Sequence, residues 1–152
     1  MDDAARLRAA TDALAHWPLQ ASAINEVSRS ENIVFRVDCG TDASYVLRLH
    51  RPGYHSLDEL ISEQLWTKAL RDADLDVPVP LLTHDGHGYA RIQLGGQTRF
   101  AGMLEWVDGA PLYDLIESSD APAAAADWFN QLGMLMAAMH NQATAWQPPT
   151  GF

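Results

Sequence analysis

Apolar and polar positions change period several times along the chain, and each change marks an element. Residues 2–16 read as a helix: Asp2 and Asp3 suit its positive end, Leu7, Leu14 and the following Trp17 give it an apolar side, and Pro18 ends it. Residues 21–27, 33–37 and 45–49 are short runs rich in β-branched and aromatic residues, separated by the polar turns 28–32 and 38–42. Strands this closely spaced must be antiparallel, because a parallel crossover needs about a dozen residues or more. Pro52-Gly53 breaks the pattern, and Ser56 to Glu59 forms a capping box that opens a helix running to about Arg71. Val77-Pro78-Val79-Pro80 holds an extended connector. Strands resume at 81–83, 89–93 and 98–106, with His84-Asp85-Gly86-His87-Gly88 and Gly95-Gly96 as the turns between them. Beyond Asp108-Gly109-Ala110-Pro111 the period becomes helical. Pro122 suits a first helical position, and Trp128, Leu132, Leu135 and Met139 mark one face of a long helix.

Composition narrows what such a chain does. The 152 residues carry 47% hydrophobic side chains, a globular composition, and a formal net charge of −10. That charge repels phosphate backbones and anionic lipid, so neither a nucleic acid nor a membrane is an expected partner. A single cysteine, Cys39, excludes an internal disulfide. The acidic, polar start lacks the features of a signal peptide, and a cytoplasmic location is the expectation. None of the six histidines falls in a metal-binding motif such as HExxH. Asp114, Glu117 and Asp120 read as solvated acidic surface, and Met134, Met136 and Met139 as packing residues.

The order of elements, together with five segments, resembles the aminoglycoside phosphotransferase and choline kinase-like family. The segments are Ser30-Glu31-Asn32-Ile33-Val34-Phe35-Arg36-Val37, Tyr45-Val46-Leu47-Arg48-Leu49-His50-Arg51-Pro52, Ser62-Glu63 through Leu70, Met103-Leu104-Glu105-Trp106-Val107-Asp108-Gly109, and Leu135 to His140. The resemblance implies an α+β fold: a kinase-like N-terminal lobe over 1–105, with a helix packed on an antiparallel five-stranded sheet. A hinge and the first helices of a truncated C-lobe would follow over 106–152. It implies ATP as cofactor, Mg2+ in the full-length protein, and a small-molecule hydroxyl as acceptor.

Alternation along the third strand puts Val46, Arg48 and His50 on one face and Tyr45, Leu47 and Leu49 on the other. By the resemblance, Arg48 stands where kinases place a phosphate-binding lysine. The substitution keeps the charge and offers a fork that matches phosphate oxygens. Glu63 lies on a helix face with Leu60, Trp66 and Leu70, and a carboxylate beside an apolar stripe needs a cation, so Arg48 is its expected partner. Pairing of Glu63 with Lys68 or Arg71 is the alternative. The turn 28–32 corresponds to the loop over the phosphates. No glycine lies between Asn25 and Asp38, so Ser28, Ser30 and Asn32 would supply the donors. Val34 and Val46 would roof the adenine. Leu104 would gate the space behind it, and the Glu105 carbonyl and Val107 N–H would meet the base.

The family's catalytic HGDxxxxN-like loop and later metal-binding aspartate have no counterpart here, and the resemblance places both downstream of Phe152. No catalytic residue and no metal ligand is therefore expected within this chain. The principal expectation is the nucleotide-binding front part of an ATP-dependent small-molecule kinase, inactive as it stands. Two alternatives stay open: a stand-alone regulatory domain with a kinase small-lobe fold, and part of a bacterial Ser/Thr protein kinase.

Overall fold

The computed structural model describes residues 2–40, 43–117, 122–150 and 152. Thr41 and Asp42 of the second polar turn, and Asp120, lie outside these. The chain divides into two compact units: Met1–Leu65 with Pro78–Trp106 and Phe152, and Trp66–Val77 with Val107–Gly151.

The first unit opens with helix α1 (Asp3–Ala13), whose N-cap is Asp2: its carboxylate accepts from the Ala5 N–H at 2.7 Å. A 3-10 turn, Leu14–His16, follows and delivers Trp17 into the core. Of the expected apolar side, Leu14 and Trp17 are buried but Leu7 is exposed, and within α1 itself the buried positions are Arg6, Ala9, Ala10 and Ala13. Small side chains let a helix lie close on a sheet, so here alanines rather than leucines mark the contact face.

Strands β1 (Ala21–Arg29), β2 (Ile33–Cys39), β3 (Ser44–Leu49), β4 (Tyr89–Leu94) and β5 (Gln97–Glu105) form one sheet in the order β1-β2-β3-β5-β4. Every pairing is antiparallel, as the short connections require. The expected strand over 81–83 does not form. The preceding segment meets β5 only through a Pro80–Leu104 bridge and two backbone bonds, Leu81 N–H to the Met103 carbonyl and Glu105 N–H to the Val79 carbonyl. Pro78 and Pro80 lack the N–H groups that a longer ladder needs.

Alternation sorts the sheet cleanly. Phe35, Val37, Leu47, Leu49, Ala90, Ile92, Leu94, Ala101 and Met103 face one way and form the core with Ala9, Ala10, Ala13, Leu14 and Trp17. The Trp17 indole N–H donates to the Leu81 carbonyl at 2.8 Å, which satisfies its only polar group and anchors the connector. Arg6, buried beside this core, is held by Glu26 at 2.7 Å and Asp3 at 2.6 Å.

Helix α2 (Leu57–Asp72) begins with the anticipated capping box: the Glu59 N–H donates to Ser56 Oγ at 3.2 Å, and the Ser56 N–H to Glu59 Oε2 at 2.7 Å. The second unit holds the end of α2, the six-residue helix α3 (Leu112–Glu117) and helix α4 (Pro122–Ala145). Pro122 starts α4, as its position suggests. Within this unit the Trp66 indole donates to Gln142 Oε1 at 3.2 Å. Phe129, Leu132, Met134, Leu135 and Met136 of α4 are exposed.

Candidate nucleotide-binding face

The side of the sheet opposite the core carries a row of aligned residues across all five strands. Ser28 pairs with Val34, Val34 with Arg48, Arg48 with Gly102, and Gly102 with Tyr89. Directly paired residues share a face, so Arg48 stands in the row between Val34 and Gly102. The next row along the same face is Asn25, Arg36, Val46 and Leu104. Val34, Val46 and Leu104 form an apolar stretch flanked by two cations, Arg36 and Arg48. An aromatic base and a phosphate chain require that combination. Val34, Val46, Arg48 and Leu104 are all half-buried.

Other expected residues are placed differently. The turn after β1 is tied down from behind: Asn32 Oδ1 accepts the Arg51 N–H at 3.1 Å, the Ser30 N–H donates to the Asn32 carbonyl, and Arg51 pairs with Glu31. Asn32 thus spends its side-chain oxygen on bracing the turn. Ser30 lines a cavity of about 420 Å³ with Arg6, Arg29, Ile33, Arg51 and Arg99, apart from the Arg48 row. Glu105 is exposed at the end of β5, paired with Tyr45 on the core side. For a residue expected to act through its backbone carbonyl, this orientation matters little. Val107 belongs to the second unit and is exposed.

The direct Arg48–Glu63 ion pair is not formed. Glu63 is exposed on α2, and Arg48 is in no ion pair within the described residues. The alternative partner for Glu63 is not taken up by Lys68, whose ammonium meets Asp72 at 2.6 Å. Instead, both groups act on Tyr89. Burial and the nearby Glu63 carboxylate push the Tyr89 phenol up to about 12, while Arg48 pulls the other way. The ring of Tyr89 lies over Gly102, where a Cβ would stand 2.7 Å from Cε1, and meets the His50 ring edge-on at 5.6 Å. His50 is buried, and desolvation, helped by Arg48 and His55, lowers it to about 4.

Three residues of this face escaped the reading of the sequence. Arg36 lies over the Trp106 ring at 4.7 Å and binds Asp38 at 2.7 Å, holding that carboxyl below its usual range with help from Ser44. Nothing in the sequence brings Trp106 back to β2. Tyr89 and Gly102 were detectable in principle, because a lone glycine inside a regular strand signals a close approach by another group.

Residues 23–152 match the model of the APH phosphotransferase enzyme family. The chain belongs to this family. Among solved structures it is similar to a microcompartment-associated aminopropanol kinase, with a TM-score of 0.77 and 29% identity, over 96% of this chain and 43% of that one. It also shares the fold of the amicoumacin kinase hAmiN in complex with AMP-PNP, Ca2+ and Ami, with a TM-score of 0.74 and 20% identity. That match covers 97% of this chain and 42% of the other. The chain therefore spans less than half the length of either kinase. No curated protein matches it significantly. Among the described residues no helix is long and apolar enough to cross a membrane, and no group of three or more His, Cys, Asp or Glu is placed to hold a metal ion.

Proposed function

We propose that this chain is the nucleotide-binding portion of an ATP-dependent phosphotransferase that acts on a small-molecule hydroxyl. One observation carries the reading: a cation, Arg48, stands in mid-sheet beside the apolar surface of Val34, Val46 and Leu104, on the face turned away from the core. Adenine would pack on the valines, the Glu105 carbonyl would meet its edge, and Arg48 would take phosphate oxygens through its fork. Ser28 shares the row with Arg48 and supplies a hydroxyl from β1. Residues 1–105 form the ATP-binding lobe in this reading, and 106–152 the hinge and first helices of a second lobe. Mg2+ belongs to the whole enzyme and would supply charge neutralisation on the phosphates. Its ligands and the catalytic carboxylate are assigned to a part of the protein outside this chain. The exposed apolar side chains of α4 support a further helical layer against it.

Hydrogen bonds to the base contribute about 0.5–1.5 kcal/mol each, and association costs offset much of the total. Affinity of this chain for ATP should accordingly be no tighter than about 1 mM. Calorimetric titration of the chain and of Arg48→Gln with Mg-ATP tests the reading. Millimolar binding that weakens in the variant supports it; binding unaffected by the loss of the guanidinium contradicts it. A radiolabelled-ATP assay over a panel of hydroxyl acceptors should show no turnover by this chain alone.

A further inference from the structure

The cavity of about 420 Å³ beside the turn between β1 and β2 is lined by four arginines: Arg6 of α1, Arg29 at the end of β1, Arg51 just after β3, and Arg99 of β5. Ile33, which also lines it, is paired with Leu49, and Arg99 is paired with Ile92. Leu49 and Ile92 belong to the core, so this cavity lies on the core side of the sheet, opposite Arg48. Its charges are unevenly matched. Arg6 is held by Glu26 at 2.7 Å and by Asp3 at 2.6 Å. Arg51 pairs with Glu31, and Arg29 approaches Glu26 only to 3.9 Å. Arg99 is in no ion pair within the described residues. Its Nη1 donates to the His50 carbonyl at 3.3 Å, and its Nε is buried with no hydrogen-bond partner. Ser30 brings a hydroxyl to the same cavity, its N–H being spent on the Asn32 carbonyl.

A guanidinium drawn out of water without a counter-charge is costly, and an anion alongside it offsets that cost. We infer that this cavity is a binding site for a compact phosphate-type oxyanion, held by Arg99 and Arg51 with Arg29 and the Ser30 hydroxyl at its rim. Guanidinium forks match the oxygens of such a group two at a time. Asp3, Glu26 and Glu31 answer the other three arginines, which leaves the Arg99 charge for the ligand. The net charge of −10 repels an extended polyanion, whereas this local surplus of cations admits a small one. Free phosphate and a phosphomonoester share the required chemistry. The site lies across the sheet from the Arg48 row, so the inference does not depend on the nucleotide-binding reading.

The experiment titrates the chain with inorganic phosphate and, separately, with methyl phosphate, at constant ionic strength, and follows the arginine Nε–Hε resonances by NMR. Those of Arg99, Arg51 and Arg29 should shift together and saturate in the millimolar range, and the tighter of the two ligands identifies the source of the group. Arg99→Gln should weaken binding by about tenfold, the scale of a lost hydrogen bond to a charged group. Arg51 is exposed, so Arg51→Gln provides a second variant that leaves the core intact, and it should weaken binding in the same direction. Glu31→Gln frees Arg51 from its carboxylate and should tighten binding by about threefold. Lys68→Gln removes the same charge from α2, away from the cavity, and should leave affinity unchanged. Absence of saturable shifts at these three arginines overturns the inference. So does a loss in Lys68→Gln equal to that in Arg51→Gln, which would mark a response to overall charge. Mg-ATP shifts gathered at these arginines instead of the Arg48 row would count against the nucleotide reading while supporting an oxyanion site here.

Discussion

Acidification should destabilise this protein through His50 before its carboxylates matter. His50 is 5% exposed, packed edge-on against Tyr89 and beside the Arg48 charge, and its imidazole is lowered from 6.5 to about 4. A base whose folded value is depressed is held neutral by the fold. The unfolded chain takes up a proton near 6.5, but the folded chain does so only near 4. Stability is thus complete above about 6.5 and falls as pH drops through the window between the two values. At about 1.36 kcal/mol per unit, the loss amounts to about 3 kcal/mol, a large share of a small domain's stability. The carboxyls of Asp38 and Glu59 are depressed, by Arg36 and by Ser56 respectively, and their contributions are lost at lower pH as each protonates. The His50 window is therefore separable. Urea unfolding of the chain and of His50→Phe, at intervals from pH 7.5 to 4, measures it directly. The parent should lose about 3 kcal/mol more than the variant over that range. Parallel pH profiles for the two proteins would show that His50 is not held neutral and refute the reasoning.

Two further predictions concern stability. Trp17→Phe keeps the ring in the core but leaves the Leu81 carbonyl without its 2.8 Å donor, and should cost about 1–3 kcal/mol by chemical denaturation. Ser56→Ala removes the acceptor for the Glu59 N–H at the start of α2 and should cost about 1 kcal/mol, with the loss seen as faster amide exchange in the first turn of that helix.

The sheet and its faces were legible because period-2 alternation is strong in β2 and β3, where one side must be buried. Short polar turns then forced antiparallel pairing, and Ser56 with Glu59 announced α2 through an interaction local to four residues. What stayed hidden depended on distant contacts. Leu7 reads as a core residue by hydropathy, but the close approach of α1 to the sheet selected alanines. Segment 81–83 has strand-forming side chains, but the neighbouring prolines deny it a ladder. Glu63 has apolar neighbours along its helix face, yet the fold leaves it exposed on α2. The Asn32 side chain carries the donors of a phosphate loop, while its oxygen is committed to Arg51, 19 residues away.

The account turns on which face of the sheet receives a nucleotide, and chemical-shift mapping of the chain with Mg-ATP addresses this directly. Shifts should concentrate on Ser28, Val34, Val46, Arg48, Leu104 and Glu105, saturate in the millimolar range, and fade in Arg48→Gln. Shifts gathered instead around Arg29, Arg51 and Arg99, or none at any of these positions at saturating nucleotide, would contradict it.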